Sequence, residues 1–360
     1  MQEKGVKLYI REAVSGDNDM LQSFQKAASY GEGGSVSSVN HPDYSWRTKV
    51  YERGKVFMAC DEADNHPMGS ASCAVKSANI NDLSTLVGYS WNYYTSPDHR
   101  RKGVAIALIA KVEEFYRQQG ASLAYVYIMD SNAPSIALFE KSGYSRHKAL
   151  LARYKLIYRK SDSNDKNNVR TLVPNDLDEV SRLINATWEG HDLFTPYSAT
   201  SFAASIERVP GFSYDDIYVL EKDGRIAACV GCWDRGKAVR TTVKSMGTKM
   251  RIASMVLDAT RLFTPMPKVL KPGEVMTQYR LMPVGYKHLD DLKALLKTIN
   301  NRALSKGIYA ICGASENDAP IAHCLQSMFR NDVNLLLYAK SLDGSTRLSD
   351  NPVYVDVVDI

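Results

Sequence analysis

Apolar positions in the first 160 residues alternate at strand spacing or recur at helix spacing in a readable order. Lys7 to Arg11 reads as a strand. Asp17 to Tyr30 reads as a helix with Met20, Leu21, Phe24 and Ala27 as its apolar set. Tyr30 to Asn40 is rich in Gly and Ser and reads as a loop, followed by a short helix over Pro42 to Glu52. Lys55 to Asp61 and Gly69 to Ser77 make two antiparallel strands. An aromatic strand through Tyr89 ends at Pro97, which has no N–H for a ladder. From Val104 the period becomes helical: Val104, Leu108, Val112 and Phe115 share one face, and Gly120 supplies the stop. Leu123 to Met129 is a strand, a short helix follows Asn132, and Ala149 to Tyr158 is expected to close the domain. The pattern predicts an α/β chain of the α+β, mixed-sheet kind.

The second half restarts this order. Arg11 and Asp17 lie six apart, and so do Arg170 and Asp176, each pair joining a strand end to a helix start. Gly120 to Pro134 spans fourteen positions and Gly307 to Pro320 thirteen, with Asn132-Ala-Pro matched by Asp318-Ala-Pro. A repeat of about 150 residues is a duplicated domain rather than a solenoid unit. The expected division is a first domain over 1–160, a polar linker over 161–168 and a second domain over 169–360. Val353 to Val357 is apolar enough to add a strand to a sheet edge.

Composition changes little in this picture. The charged fraction of 24% and the apolar fraction of 44% are ordinary for a globular chain. A net charge of +5 does not by itself call for nucleic acid. No apolar run approaches a membrane span and the start carries no signal-peptide core, so the expectation is a cytoplasmic protein without a membrane partner. Six scattered cysteines suit a reducing compartment. Cys229 and Cys232 make a lone Cys-x-x-Cys inside a strand and are not expected to hold a metal. The run Arg235, Lys237, Arg240, Lys244, Lys249 and Arg251 reads as a solvated face.

The chemistry concentrates between the aromatic strand and the helix, in Arg100-Arg101-Lys102-Gly103-Val104-Ala105. A glycine there admits close backbone approach, and the first N–H groups of a helix lack internal partners and sit at its positive end. Three cations add to the same spot. The fitting guest is a phosphate or pyrophosphate. This stretch resembles the Arg/Gln-x-x-Gly-x-Gly/Ala loop of the GNAT superfamily of acyl-CoA-dependent N-acyltransferases. Asp130 to Tyr144, with Asn132 and Gly143-Tyr144, is similar to the other half of that family's core. Ser96 to Gly103 and Glu113 to Ala121 further resemble the plant HOOKLESS-type N-acetyltransferases, as do Cys232-Trp-Asp234 and Pro352 to Asp356.

The resemblance implies two tandem GNAT-like domains, the second degenerate. It also implies acetyl-CoA as co-substrate and a primary amine, on a small molecule or peptide, as acceptor. Its coenzyme contacts fall on Tyr93, Tyr94, Thr95, Arg100, Arg101, Lys102, Gly103, Val104, Ala105, Asn132 and Phe139. Many members place a Glu where this chain has Tyr89 and a Tyr acid where it has Phe139. Tyr89 is therefore the candidate catalytic residue, relaying through water or orienting the amine, with His41, Glu52, Asp61 and the Ile360 carboxylate in reserve as bases. The Tyr30–Asn40 loop is the candidate acceptor loop. In the second half Asp290 and Asp291 stand where the phosphate loop would be, so coenzyme is expected in the first domain only. The alternative expectation is a catalytically weak or inactive acyl-CoA-binding protein with a regulatory or partner-binding role. The oligomeric state stays open.

Overall fold

The computed structural model describes residues 7–27, 35–40, 43–162 and 168–360. Along them run β1 (Leu8–Glu12), α1 (Asn18–Ala27), β2 (Ser35–Asn40), β3 (Arg53–Asp61), β4 (Pro67–Ile80), β5 (Leu83–Thr95), α2 (Val104–Gln118), β6 (Leu123–Met129), α3 (Ala133–Lys141) and β7 (Ser145–Leu156). The second half adds β8 (Asn168–Thr171), α4 (Leu177–Thr187), α5 (Ala199–Arg208), β9 (Ile217–Lys222), β10 (Arg225–Asp234), β11 (Arg240–Met246), α6 (Thr248–Thr260), β12 (Gln278–Tyr286), α7 (Leu289–Ser305), β13 (Ala310–Ser315), α8 (Pro320–Cys324) and β14 (Arg330–Ser341). The short helix expected over 42–52 is a 3-10 turn, Tyr44–Val50, capped by the Asp43 side chain. Residues 35–40, expected as loop, form a strand antiparallel to β11; the remainder of that loop lies outside the described residues.

The chain divides into two units. Residues 1–28, 41–149 and 335–350 make the first; 29–40, 150–334 and 351–360 make the second. The first has a mixed sheet in the order β1-β3-β4-β5-β6-β14. Only β5 and β6 run parallel in it. One face of the sheet buries Phe57, Ala124, Val126, Leu336 and Tyr338 against Val104, Leu108, Val112 and Phe115 of α2, the four positions the spacing puts on one side. Complete burial of each such side chain is worth about 1.5–3 kcal/mol. Gly88 lets α2 come this close, since a Cβ there would stand 2.4 Å from the Tyr116 ring. The other face carries Val56, Met58 and Cys60 under Leu21 and Phe24 of α1.

The second unit repeats the plan, with the order β7-β13-β12-β10-β9-β8 and only β12–β13 parallel. The two Arg–Asp pairs make the same clasp in each copy. Arg11 donates to both Asp17 carboxylate oxygens at 2.7 Å while the Val14 N–H donates to Asp17 at 2.8 Å. Arg170 donates to Asp176 at 2.6 and 2.9 Å while the Val173 N–H donates to it at 2.9 Å. Gly120 and Gly307 both end their helices with positive φ, at 79° and 68°. The counterpart of the aromatic strand is β12, Gln278–Tyr286.

Two expectations need correction. A cut at 161–168 does not separate the units, because each is completed by a strand from the other half of the chain. Leu335–Ser341 of β14 lies antiparallel to β6 in the first unit, and Leu151–Leu156 of β7 lies antiparallel to β13 in the second. The strand expected to close the first domain thus serves the second. β7 and β14 are both twelve residues long with the same order of exposed and buried positions. The tail at 353–357 adds no strand: it makes one bridge, Asp192 to Val353, inside the second unit, and packs Val353, Val355 and Val357 into its interior. No helix among the described residues is long and apolar enough to cross a membrane.

Candidate active site

β5 stays paired with β4 along its whole length, up to Thr95 opposite Gly69. Its parallel register with β6 covers only Val87, Gly88 and Tyr89, the last opposite Tyr125. Beyond Tyr89 the two strands part. Between Trp91 and Tyr94 the β4 register also slips by one residue, a bulge at Asn92–Tyr93 with Asn92 at φ 53°. Were alternation from Trp91 unbroken, Tyr93 and Tyr94 would each face the opposite side of the sheet. With the bulge, Tyr93 turns towards α3, edge-on to Phe139 at 5.2 Å, and Tyr94 stacks on Phe24 of α1 at 4.5 Å.

The parted strands open a cavity of about 840 Å³, walled by β5, the turn before α2, the first turn of α2 and one face of α3. Tyr93, Tyr94, Thr95, Arg100, Arg101, Gly103, Val104, Ala105 and Asn132 line it. The turn holds Arg101 at φ 62° and Gly103 at φ 84°, and nothing lies within 4 Å of where a Gly103 Cβ would stand. The glycine serves the left-handed backbone, with open space beside its Cα. Asn132 caps α3 by accepting the Ser135 N–H at 3.2 Å.

Three expected site residues lie elsewhere. Lys102 is exposed and does not line the cavity. Phe139 is buried behind Tyr93, edge-on to Tyr144 at 5.0 Å, so it shapes the wall from behind. Tyr89 is 1% exposed and stacks between Trp91 and Tyr125, each 5.0 Å away, at the apex where the strands separate rather than on the cavity lining. Of the reserve bases, Asp61 accepts the Ala63 N–H in a turn, Glu52 is exposed, Ile360 belongs to the second unit and His41 lies outside the described residues.

The structure adds His99, Ile106, Pro134, Ser135, Leu138 and Lys141 to the lining. A helical reading from Asn132 could have found three of these, since 134, 138 and 141 fall on one face. Lys141 brings a third cation to Arg100 and Arg101. No carboxylate stands among the described lining residues. Burial pushes the Tyr93 hydroxyl well above its ordinary pKa, so it stays protonated at neutral pH.

Among its described residues the second unit has no such turn. Asp290 and Asp291 occupy the first turn of α7, and Asp291 is buried and ion-paired with Lys222. Cys229 and Cys232 are buried; desolvation pushes the Cys229 thiol up to about 12. Among the described residues no three metal-ligating side chains converge.

Residues 20–144 match the family model described as Acetyltransferase (GNAT) family. The chain is 30% identical over 261 residues to the "Probable N-acetyltransferase HLS1" of Arabidopsis thaliana, covering 67% of this chain and 65% of that protein. It is 23% identical to the "Probable N-acetyltransferase HLS1-like" of the same plant, covering 66% of this chain and 62% of the relative. The matched part thus falls just short of two thirds of these relatives' lengths. The fold is similar to that of Saccharomyces cerevisiae N-myristoyltransferase with bound myristoyl-CoA, with a TM-score of 0.64 over 95% of this chain and 81% of that one, at 11% identity.

Proposed function

We infer, for a chain that carries a GNAT-family acetyltransferase domain over residues 20–144, that it transfers an acetyl group from acetyl-CoA to a primary amine by direct attack in a ternary complex. The observation that carries this reading is the parting of β5 from β6 immediately after Tyr89, which opens a lined cavity onto a cationic turn and a helix N-terminus. The residues fit coenzyme A. Arg100, Arg101 and the first N–H groups of α2 would hold its phosphates, with Lys141 at the same cavity. The backbone of Tyr93 to Thr95, past the last β6 pair, would bond the pantetheine amides as an added strand and polarise the acetyl carbonyl. The coenzyme supplies the activated thioester.

Tyr89 sits at the closed end of the wedge, on the face opposite Tyr93. Its proposed role is to orient the amine through a water. The acceptor is a small molecule or peptide amine, and the six free cysteines support a reducing, cytoplasmic setting. A second reading, a non-catalytic acyl-CoA sensor, draws on Phe139 lying in the core and on the lack of a lining carboxylate among the described residues. Thiol release from acetyl-CoA over a panel of amines separates the two, since a sensor releases none. Tyr89→Phe should lower turnover roughly 10- to 1,000-fold with coenzyme affinity unchanged, the scale of one lost acid–base or positioning contact. Wild-type turnover in that variant would leave Tyr89 a packing residue.

A further inference from the structure

α6 presents its apolar side to solvent. Its buried position is Ser254, while Ile252, Met255 and Val256 are 54%, 60% and 61% exposed and Ala259 is exposed with them. Spacings of three and four put these on one stripe. The turn that follows extends it with Leu262 and Phe263, at 81% and 85%. An ordinary surface helix turns such a stripe inward, and a contiguous exposed one marks an interaction site.

The charge around it has one sign. Residues 240–274 hold seven Lys or Arg against two Asp or Glu, a surplus of five that equals the net charge of the whole chain. Both carboxylates are already engaged: Asp258 with Lys271 at 2.9 Å, and Glu274 with Lys268 at 2.5 Å. Lys249 and Arg251 flank the stripe and are exposed. Leu262 and Phe263 project from the surface, which suits insertion into a fluid medium.

We propose that this face docks the protein onto an anionic lipid bilayer. α6 lies in the plane of the interface, Leu262 and Phe263 enter the acyl boundary, and Lys249 and Arg251 meet headgroup phosphates. The attachment is peripheral and reversible, distinct from a membrane span.

The test is co-sedimentation of the full-length chain with phosphatidylcholine vesicles, with and without phosphatidylserine, at low and high salt. Binding is expected only with phosphatidylserine and weaker in high salt. Leu262→Ser/Phe263→Ser and Lys249→Glu/Arg251→Glu should each weaken it roughly 10- to 100-fold, the scale of losing insertion or two interfacial charges. All four side chains are exposed, so coenzyme binding and thermal midpoint should match wild type. Absence of wild-type binding, equal binding to neutral vesicles, or variants that bind like wild type would overturn the proposal. So would concentration-dependent self-association abolished by Leu262→Ser/Phe263→Ser without vesicle binding, which would assign the face to a second copy.

Discussion

Gly103 is the residue on which the cationic turn depends. At φ 84° an alanine is strained by roughly 1 kcal/mol, although nothing would touch its Cβ. Gly103→Ala should therefore cost little stability and only modest coenzyme affinity. Gly103→Glu adds a carboxylate where phosphates are expected and should abolish binding in calorimetry, with the second unit intact. The two Arg–Asp clasps make a different residue-scale prediction. Hydrogen bonds from Arg11 and Arg170 hold the Asp17 and Asp176 carboxyls below the ordinary carboxylate range. Their contribution is present above the unfolded pKa near ~4 and is lost as pH falls through the lower folded values. Asp17→Asn or Asp176→Asn should cost roughly 1–3 kcal/mol at pH 7. Each variant should also lose less stability than wild type on acidification, read as urea midpoints at neutral and acid pH.

Among the elements, β5 and α2 were legible and the details between them were not. The 104–108–112–115 spacing and Gly120 announce α2, and the helix is found over Val104–Gln118. The Arg-x5-Asp spacing announces the duplication because the clasp needs both partners at fixed positions. The bulge at Asn92–Tyr93 leaves no mark in the alternation, since aromatic residues flank it on both sides. The family resemblance puts Tyr93 and Phe139 together as coenzyme contacts, whereas only Tyr93 lines the cavity. Lys102 was counted with its neighbours because a sequence does not show which side chains a left-handed turn directs outward. Deleting Asn92 should remove the bulge and straighten β5 alongside β6, with Trp91 and Tyr93 kept on the faces they already occupy. Coenzyme affinity is expected to fall at least about 100-fold, with the β3–β4 pairing kept. Near-normal affinity in that deletion would show that the bulge does not set the cavity.

For the whole molecule, the exchange of β7 and β14 was invisible in sequence because the two strands share one pattern. It has energetic content. Leu336 and Tyr338 fill the α2 core, and Lys340 donates to both oxygens of the buried Glu113 at 2.7 and 2.9 Å and to the Ser142 carbonyl at 2.9 Å. A 1–160 fragment lacks these groups and leaves β6 with an open edge. It should be poorly soluble and bind no coenzyme, whereas fusing residues 335–350 to it should restore a cooperative melt. A soluble, binding-competent 1–160 fragment would refute this.

The exchange also sets an order of events during synthesis. Multidomain chains ordinarily fold their N-terminal domain while the rest is still being made. Here the ribosome must deliver residue 341 before the candidate site's own sheet can close. The candidate site matures last although most of it is translated first, and a nonsense mutation between residues 169 and 334 should cost the first unit its last strand along with the unit it interrupts.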